Sequence, residues 1–223
     1  MKRHLLEIDS VQKRFDQKTI LSDVCLKCET GDIIGLLGRN GSGKSTLLKI
    51  IFGILPADNK FLRIDQKVQI SSFGPHSGIS YLHQGPFIPG HFSVSKALSL
   101  SISRSRLADF YKDEVIASLS NKKISQLSGG ERRYLEIKLI LENSSHFVLL
   151  DEPFNGLSPI LAEKISGLIR ESANRKGIII TDHHYQNVVT VANKLVLMKD
   201  GKMYHLNNAD ELVEKGYLKT GML

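Results

Sequence analysis

Apolar positions along the chain follow two patterns that predict β-strands. Segments 5–11 and 20–28 alternate apolar and polar residues, which is typical of strands with one buried face. Other segments are apolar throughout, as parallel strands buried on both faces are. The strands of this second kind are predicted at 33–37, 147–150, 178–181 and 195–198. Shorter strands are predicted at 61–64 and 79–82.

Helices are predicted between these strands. Apolar residues at helical spacing follow the third strand over 44–55, where Pro56 is expected to end the helix. Asp200 and Gly201 form a turn signal that predicts a hairpin after the last apolar strand. Further helices are predicted at 95–102, at 112–119, from Ser128 onwards and at 159–172.

The order of these segments predicts one domain with two structural parts. Segment 85–127 is rich in Ser, Lys and Arg and carries helical patches, so we expect a helical subdomain inserted into the fold. Segments 1–84 and 128–223 form the core, in which strands alternate with helices. Such alternation predicts an α/β fold with a parallel sheet covered on both faces.

Composition and charge exclude several classes of protein. The longest apolar runs span only a handful of residues, whereas a membrane-spanning helix needs about 20. The N-terminus has no apolar stretch of the kind a secretory signal requires, so we expect a cytoplasmic protein. The chain has 30 Lys and Arg residues against 23 Asp and Glu residues. This scattered positive charge favours anionic ligands without selecting one class of them.

The two cysteines, Cys25 and Cys28, lie in the predicted second strand. Their side chains would face opposite sides of an extended strand, which argues against a zinc or redox pair. We expect both to be buried, reduced thiols.

A glycine-rich stretch between the third strand and the first helix fits the pattern G-x-x-x-x-G-K-[ST]. In such a phosphate loop, backbone N–H groups converge on phosphate oxygens and the following helix adds its positive N-terminal end. We expect Lys44 to reach the β- and γ-phosphates of ATP and the Ser45 hydroxyl to ligate Mg²⁺. The residues predicted to bind nucleotide here are Gly38, Asn40, Gly41, Ser42, Gly43, Lys44, Ser45 and Thr46.

An acidic pair follows the buried strand 147–150. Asp151 is suited to hold Mg²⁺ through water, and Glu152 to orient the water that attacks the γ-phosphate or to accept its proton. Two solvated carboxylates at a strand end are the ordinary alternative, but a phosphate loop upstream favours the catalytic interpretation. The sequence therefore predicts ATP hydrolysis, with Lys44 and Glu152 as catalytic residues.

Segment 127–131 reads L-S-G-G-E. Ser128 and Glu131 have the spacing of a capping box at the start of a helix. The segment also resembles the signature sequence of ABC ATPases, and the order of the motifs extends this resemblance over nearly the whole chain. The resemblance implies a P-loop NTPase fold with a RecA-like parallel-sheet core, an N-terminal antiparallel β subdomain and an inserted helical subdomain.

In that family the signature faces the γ-phosphate held by another subunit. The resemblance therefore implies that Ser128, Gly129 and Gly130 bind nucleotide across a dimer interface. Each protomer of a head-to-tail pair would supply one phosphate loop and one signature. The partner would be a second copy of the chain or a homologous ATP-binding subunit.

Three further residues match positions that the family uses. Phe15 is similar to the aromatic residue that stacks on adenine, although a lone Phe is as often part of a core. Gln84 is similar to the glutamine at the joint with the helical subdomain, which senses Mg²⁺ and the transport partner, so the resemblance implies that it binds both nucleotide and metal. His183 is similar to the switch histidine that contacts the γ-phosphate and takes part in catalysis, with His184 as its rival.

One position departs from the family pattern. Ser158 stands where the family usually has an Asp that links the two sites across the interface, so a hydrogen bond can be kept but the charge is lost. A nucleotide-gated scaffold with little turnover is an alternative that this change raises, whereas Lys44, Asp151 and Glu152 favour hydrolysis. The stretch around Ser158 and the I-T-D-H at 180–183 resemble the ATPases of branched-chain amino-acid and lipopolysaccharide transport most closely.

The resemblance implies an ATP-hydrolysing subunit of an ABC-type membrane transporter, held at the cytoplasmic face of the cell membrane by transmembrane permease subunits. The alternative is a soluble ABC protein that acts on ribosomes or nucleic acid. Such proteins resemble two cassettes in one chain or a cassette split by a long coiled coil, and the segment between Gln84 and Leu127 contains neither. We therefore expect permease partners and no direct contact with nucleic acid.

Overall fold

The computed structural model describes residues 3–69 and 78–219. The other residues of the predicted core, which spans 1–84 and 128–223, lie outside the described residues. The described strands are β1 (Leu5–Phe15), β2 (Lys18–Glu29), β3 (Ile33–Leu37), β4 (Asn59–Ile64), β5 (Lys67–Val68), β6 (Ile79–Leu82), β7 (Phe147–Asp151), β8 (Gly177–Thr181), β9 (Lys194–Lys199) and β10 (Lys202–Leu206). The described helices are α1 (Lys44–Phe52), α2 (Val94–Ser101), α3 (Arg104–Phe110), α4 (Glu114–Leu119), α5 (Gly129–Glu142), α6 (Pro159–Ala173), α7 (Tyr185–Val191) and α8 (Glu211–Glu214), with a 3-10 turn at Ile124–Gln126.

A six-stranded sheet forms the centre of the fold, in the order β10-β9-β3-β8-β7-β6. The strands from β9 to β6 run parallel, and β10 pairs antiparallel with β9. Asp200 and Gly201 have positive φ angles at the turn between β9 and β10, so the predicted hairpin is confirmed. Parallel strands present their carboxyl ends at one edge of a sheet, so the loops after β3, β6, β7 and β8 meet there.

A second sheet, antiparallel and in the order β2-β1-β4-β5, covers one face of the central sheet. Its apolar face, helix α1 and the facing side of the central sheet form one buried cluster. Ile34 and Leu36 of β3 belong to this cluster, whereas Ile33 and Leu37 belong to the cluster on the opposite face. Both faces of β3 are therefore covered, which explains why it is apolar throughout.

The opposite face of the central sheet is covered by helices α5, α6 and α7. The segment between β6 and α5 contains α2, α3 and α4, and its buried residues Leu98, Phe110 and Ile116 join the same cluster. The helical insertion thus extends the core of this face rather than standing apart from it. The predicted α/β fold, with its antiparallel sheet and its inserted helices, is confirmed.

Several element ends differ from the predictions. The helix after the phosphate loop ends at Phe52 rather than at residue 55, because Gly53 adopts the left-handed conformation with φ 91° and its N–H bonds to the carbonyls of Lys49 and Ile50. The helix predicted at 112–119 begins only at Glu114. Helices α3, α7 and α8 and strand β5 were not predicted. Each has at most 7 residues, which is too short for a periodic pattern to show.

The two cysteines differ in their surroundings. Both are free, and Cys28 is buried whereas Cys25 is exposed. The prediction of two buried thiols is therefore wrong for Cys25, because only one face of the antiparallel sheet packs on the core and Cys25 lies on the other face. Burial raises the pKa of the Cys28 thiol, which keeps it protonated.

Asp113 joins the inserted helices to α5. It caps α4 by accepting hydrogen bonds from the N–H groups of Val115 at 3.0 Å and Ile116 at 3.2 Å. Its Oδ2 accepts from the Tyr134 hydroxyl at 2.7 Å and from Lys138 Nζ. Burial alone would raise the pKa of this carboxyl, but the hydrogen bonds from Lys138 and Tyr134 outweigh it and the pKa is lowered.

Replacing Asp113 with Ala is expected to lower the free energy of unfolding by about 3 kcal/mol, because a helix cap is lost and the buried Tyr134 and the half-buried Lys138 lose their acceptor. Urea unfolding measures this change. The loss should shrink as the pH falls through the folded pKa of Asp113, which lies below the usual value of about 3.9. Asp109→Ala removes an exposed carboxylate paired with Lys112 and should leave the midpoint unchanged. Equal losses in the two variants would contradict the role given to Asp113.

Candidate functional site

The phosphate loop lines a cavity of about 420 Å³ at the carboxyl edge of the central sheet. All loop residues from 40 to 46 contribute to its lining. The same cavity is lined by Phe15, Gln84, Glu152 and His183, which come from four other segments of the chain. The fold therefore brings most of the residues predicted to bind nucleotide into one place.

Two positions of the loop require glycine. Gly43 has φ 104°, and a Cβ there would lie 2.8 Å from Leu21 Cδ2. A Cβ on Gly38 would lie 2.5 Å from the carbonyl oxygen of Met198. Because Gly43 occupies the N-cap of α1, no side chain caps the first N–H groups of that helix, and they remain for phosphate oxygens.

The donors at the floor of the loop fit a polyphosphate. Lys44 is buried, and its Nζ donates to the carbonyls of Gly38 at 2.7 Å and Arg39 at 3.2 Å. Burial lowers the pKa of Lys44, and the carboxylates of Glu152 and Asp151 oppose this. Among the described residues, the Ser42 hydroxyl is buried without a hydrogen-bond partner. A phosphate group would supply the acceptors that this ammonium and this hydroxyl need.

Asp151 ends β7 and is only 1% exposed. Its Oδ1 accepts hydrogen bonds from the hydroxyls of Ser45 at 2.9 Å and Thr181 at 2.8 Å, and its Oδ2 accepts from Tyr81 at 2.9 Å. Since Ser45 donates its proton to Asp151, the lone pairs of its oxygen remain for a cation. A carboxylate, a hydroxyl and the amide oxygen of Gln84 are oxygen donors of the kind Mg²⁺ takes, so these residues fit Mg²⁺.

Glu152 follows with a φ of 52°, a left-handed conformation that costs about 1–3 kcal/mol and persists only where the surroundings hold it. Its N–H donates to the Thr181 carbonyl at 2.8 Å. Its side chain accepts from Gln84 Nε2 at 2.9 Å and lies 2.6 Å from His183 Nε2. The carboxylate is thus held inside the cavity between two predicted site residues.

The structure separates His183 from His184. His183 lines the cavity beside Glu152, whereas His184 occupies the N-cap position of α7. Asp182 is fully buried, and its two oxygens accept from the N–H groups of Phe154 and His184, both at 2.9 Å. This carboxylate ties the loop after Glu152 to the turn that carries His183.

Arg133 is a site residue that the sequence interpretation missed. From α5 its buried guanidinium donates to the carbonyls of His83 at 2.8 Å, Asp151 at 2.8 Å and Glu152 at 3.1 Å. Burial lowers the pKa of Arg133, and the Glu136 carboxylate, 3.9 Å away, opposes this. The planar fork of an arginine suits several fixed acceptors at once. The signal in the sequence that could have identified Arg133 as a site residue was a charged side chain at a buried position of the helix.

The signature residues have a different location. Ser128 Oγ accepts from the Glu131 N–H at 3.2 Å and the Glu131 carboxylate accepts from the Ser128 N–H at 2.8 Å, so the predicted capping box is confirmed. In the part of the chain that the structure describes, the lining of the phosphate-loop cavity does not include Ser128, Gly129 or Gly130. Gly129 lines a neighbouring cavity of about 150 Å³, whose lining also includes Gln84 and Glu152.

Ser158 has a local role. It is the N-cap of α6, where its Oγ accepts from the Leu161 N–H at 3.4 Å, and Pro159 takes the first helical position. This is the usual chemistry of a helix start. Within its own chain, Ser158 Oγ therefore serves as a hydrogen-bond acceptor.

A family model described as ABC transporter matches residues 21–155, a span that holds the phosphate loop, the signature and the acidic pair. The chain belongs to the ABC transporter family. Among its relatives is the lipopolysaccharide export system ATP-binding protein LptB of Acidithiobacillus ferridurans, 32% identical over 94% of this chain and 92% of the relative. The LptB protein of Escherichia coli strain K12 is 30% identical over 96% of this chain and 95% of its own length.

Solved structures agree with the fold. The crystal structure of a nucleotide-free ATP-binding cassette from an ABC transporter matches with a TM-score of 0.78 at 25% identity, over 95% of this chain and 94% of that one. A bacterial Atm1-family ABC exporter with ATP bound matches with a TM-score of 0.82 at 18% identity, over 96% of this chain and 41% of that one, and shows the fold alone.

Membership in this family makes the chain an ATP-binding, ATP-hydrolysing subunit of an ABC transporter. The predicted family and the resemblance to lipopolysaccharide-transport ATPases are confirmed, and the matches do not support a soluble protein of ribosomes or nucleic acid. None of the helices within 3–69 and 78–219 has the length and apolar character that crossing a bilayer requires.

Replacing Arg133 with Gln is expected to lower kcat for ATP hydrolysis by about 10–100-fold, because the peptide of Glu152 loses the donor that fixes its position. Phosphate release measured over a range of ATP concentrations gives this change, and thermal unfolding shows whether the variant is folded. Arg104→Gln removes an equal charge at an exposed position of α3 and should keep the parent rate. If both variants hydrolyse ATP alike, the carbonyl contacts of Arg133 do not position Glu152.

Proposed function

We propose that this subunit binds Mg-ATP in the phosphate-loop cavity and closes head-to-tail with a second ATP-binding subunit to drive transport. The observation that supports this most directly is that the signature, 128–130, lies outside the cavity that contains Lys44, Glu152 and His183. The start of α5 offers N–H groups and a positive dipole end that suit a phosphate. A two-fold related subunit would bring its own signature to this cavity and receive the first subunit's signature at its own.

The proposed nucleotide contacts follow from the lining of the cavity. Lys44 and the N–H groups of the phosphate loop bind the β- and γ-phosphates. Phe15 stacks on the adenine ring, since its side chain is 45% exposed at the cavity rather than part of the core. Lys13 Nζ lies 5.0 Å from the Phe15 ring centroid, a cation–π contact that helps to hold the ring.

The proposed chemistry centres on Asp151 and Glu152. Ser45, Asp151 and Gln84 hold Mg²⁺, which neutralises charge on the phosphates during transfer. Glu152 orients the attacking water and accepts its proton. Because Gln84 and His183 both contact the Glu152 carboxylate, the orientation of this base depends on residues at the ends of β6 and β8.

We propose segment 85–127 as a subdomain that moves with nucleotide occupancy. Gln84 lies where this segment leaves the central sheet, and its amide reaches both Glu152 at 2.9 Å and the Ser45 hydroxyl at 3.5 Å. A γ-phosphate near His183 and Mg²⁺ near Ser45 would change these contacts. Rotation of a segment about such a joint is an ordinary form of domain closure.

Transmembrane subunits are proposed to dock in a groove beside Gln84, where they would hold this subunit at the inner face of the cell membrane. The groove is about 370 Å³ in volume and is lined by Phe52, Ile54 and Tyr81. Ile54 is 48% exposed, and Phe87, on the other side of Gln84 in sequence, is 43% exposed. Exposed apolar residues around a cleft mark a binding site, and a helix with an apolar face is the occupant that such a groove suits.

Glu152→Gln is expected to bind Mg-ATP but to lose roughly 10³-fold or more in hydrolysis, so the closed dimer accumulates. Light scattering after size exclusion in saturating ATP and Mg²⁺ measures the dimer. A parent rate of hydrolysis would remove Glu152 from catalysis, and a strictly monomeric variant would contradict the head-to-tail pair. Glu171→Gln, at an exposed glutamate of α6, is the control and should keep the parent rate.

A further change in the Glu152→Gln background separates contacts within the chain from contacts across the interface. Ser128→Arg places a large cation at the signature, outside the subunit's own cavity. It is expected to abolish the ATP-dependent dimer while ATP still binds to the monomer, as measured with a fluorescent ATP analogue. Loss of ATP binding to the monomer would place the signature in the site of its own chain.

Ile54→Glu is expected to release the subunit from its membrane-spanning companion without changing the ATPase rate of the isolated subunit, because a charge in the groove opposes an apolar helix. Affinity capture from solubilised membranes, followed by mass spectrometry, measures the association. Val68→Glu places the same charge on β5, at a side chain that is 53% exposed, and should keep the companion. Capture of ribosomal or DNA-repair proteins by the parent chain would contradict the transport role.

A further inference from the structure

Tyr81 contacts the carboxylate proposed to hold the metal ion, although it was predicted only as part of a strand. It lies in β6, three residues before Gln84, and is 8% exposed. Its hydroxyl donates to Asp151 Oδ2 at 2.9 Å, and its ring packs on Phe52 with the centroids 5.4 Å apart. Tyr81 therefore occupies a fixed position between the groove and Asp151.

The hydrogen bonds of Asp151 are divided between its two oxygens. Oδ1 accepts from Ser45 and Thr181, of which Ser45 faces the phosphate-loop cavity. Oδ2 accepts from Tyr81. With donors on both oxygens, rotation of the carboxylate plane breaks hydrogen bonds at both ends, so its orientation is fixed. A buried ionised carboxylate also needs such donors to offset its lost hydration.

The Tyr81 hydroxyl has a single proton to donate. Its hydrogen bond to Asp151 Oδ2 at 2.9 Å uses that proton, so the hydroxyl serves this one carboxylate oxygen.

We propose that Tyr81 is a positioning residue for the magnesium site: its hydroxyl holds the Asp151 carboxylate in the orientation that serves Mg²⁺. This inference rests on the proposed function, since it takes Asp151 as a residue that holds the metal. Groups that orient a metal ligand without touching the metal are typically worth about 10–100-fold in metal affinity or activity. Without the Tyr81 hydroxyl, Oδ2 loses its donor, and only the hydrogen bonds of Oδ1 with Ser45 and Thr181 oppose rotation of the carboxylate.

The chain offers a matched control in a second buried tyrosine–aspartate pair. Tyr134 is 3% exposed, and its hydroxyl donates to Asp113 Oδ2 at 2.7 Å among the inserted helices. Tyr81→Phe and Tyr134→Phe each remove one hydroxyl from one carboxylate, so both test the loss of a buried hydrogen bond. Only the first pair adjoins the phosphate loop.

The test measures magnesium-dependent binding of a fluorescent ATP analogue in the Glu152→Gln background, where turnover does not interfere. Tyr81→Phe is expected to raise the Mg²⁺ concentration for half-maximal binding by about 10-fold or more. Binding of the analogue in EDTA should not change. In the chain with Glu152 intact, Tyr81→Phe should lower kcat at limiting Mg²⁺ and recover part of it at high Mg²⁺. Tyr134→Phe should change none of these quantities.

An unchanged magnesium requirement in folded Tyr81→Phe would overturn the proposal, with thermal unfolding as the check of folding. An equal rise in Tyr134→Phe would overturn it as well, since the effect would then follow from stability alone. Asp151→Asn separates this outcome from a failure of the proposed function. If only Asp151→Asn raises the requirement, the role of Tyr81 fails and the metal site stands. If Asp151→Asn leaves the requirement unchanged, the assignment of Asp151 to the metal fails.

Discussion

A carboxylate buried at the end of a central strand loses its hydration and needs hydrogen-bond donors in exchange, and the site of this ATPase subunit depends on how Asp151 meets that constraint. Strand β7 lies between β6 and β8, which places Tyr81 on one side of Asp151 and Thr181 on the other. Thr181 is in register with Asp151, whereas Tyr81 is in register with Leu149. Ser45, at the start of α1, supplies the third donor. The strand order and the phosphate loop are therefore both needed to offset the lost hydration of one carboxylate, and an incomplete set would cost several kcal/mol. Fold and site are parts of one arrangement.

Glu152, the residue after Asp151, adopts a strained backbone conformation that places its carboxylate beside that of Asp151. Glu152 holds a left-handed conformation, and Arg133 and Thr181 fix its two backbone polar groups. Arg133 belongs to α5, the helix that begins at the signature residue Ser128. In the proposed dimer, one end of α5 meets the nucleotide of the partner while its second turn holds the base of its own site. Ser158, at the position that usually links the two nucleotide sites, caps α6 in this chain. In the proposed dimer, α5 would therefore be the rigid element that connects one nucleotide site with the other.

The features that were predicted correctly are those determined by residues close to one another in the sequence. Strand periodicity, the phosphate loop and the Ser128 capping box each depend on a few consecutive positions, and all are present. The helix end at Gly53 also depends on neighbouring residues. It was misplaced because Pro56, three residues later, was taken as the residue that ends the helix. Tyr81 and Arg133 were missed for another reason: their importance depends on which carboxylate and which carbonyls lie opposite them after the sheet has formed. Spacing alone could not separate His183 from His184 either, since adjacent residues at the end of a strand differ only in the direction the turn gives them.

The proposed docking groove adjoins the catalytic carboxylates, because Asp151 itself contributes to its lining. Tyr81, Gln84 and Asp151 all line the groove, and Gln84 lines the phosphate-loop cavity as well. A helix seated on Phe52 and Ile54 would touch the ring that fixes Asp151, and Gln84 holds Glu152 on the other side of the same wall. Coupling between transport and hydrolysis in this subunit therefore needs no long path through the core. Tyr81 donates one hydrogen bond to Asp151, and Gln84 donates one to Glu152. A small shift of either side chain when a helix docks would therefore change the geometry that hydrolysis requires.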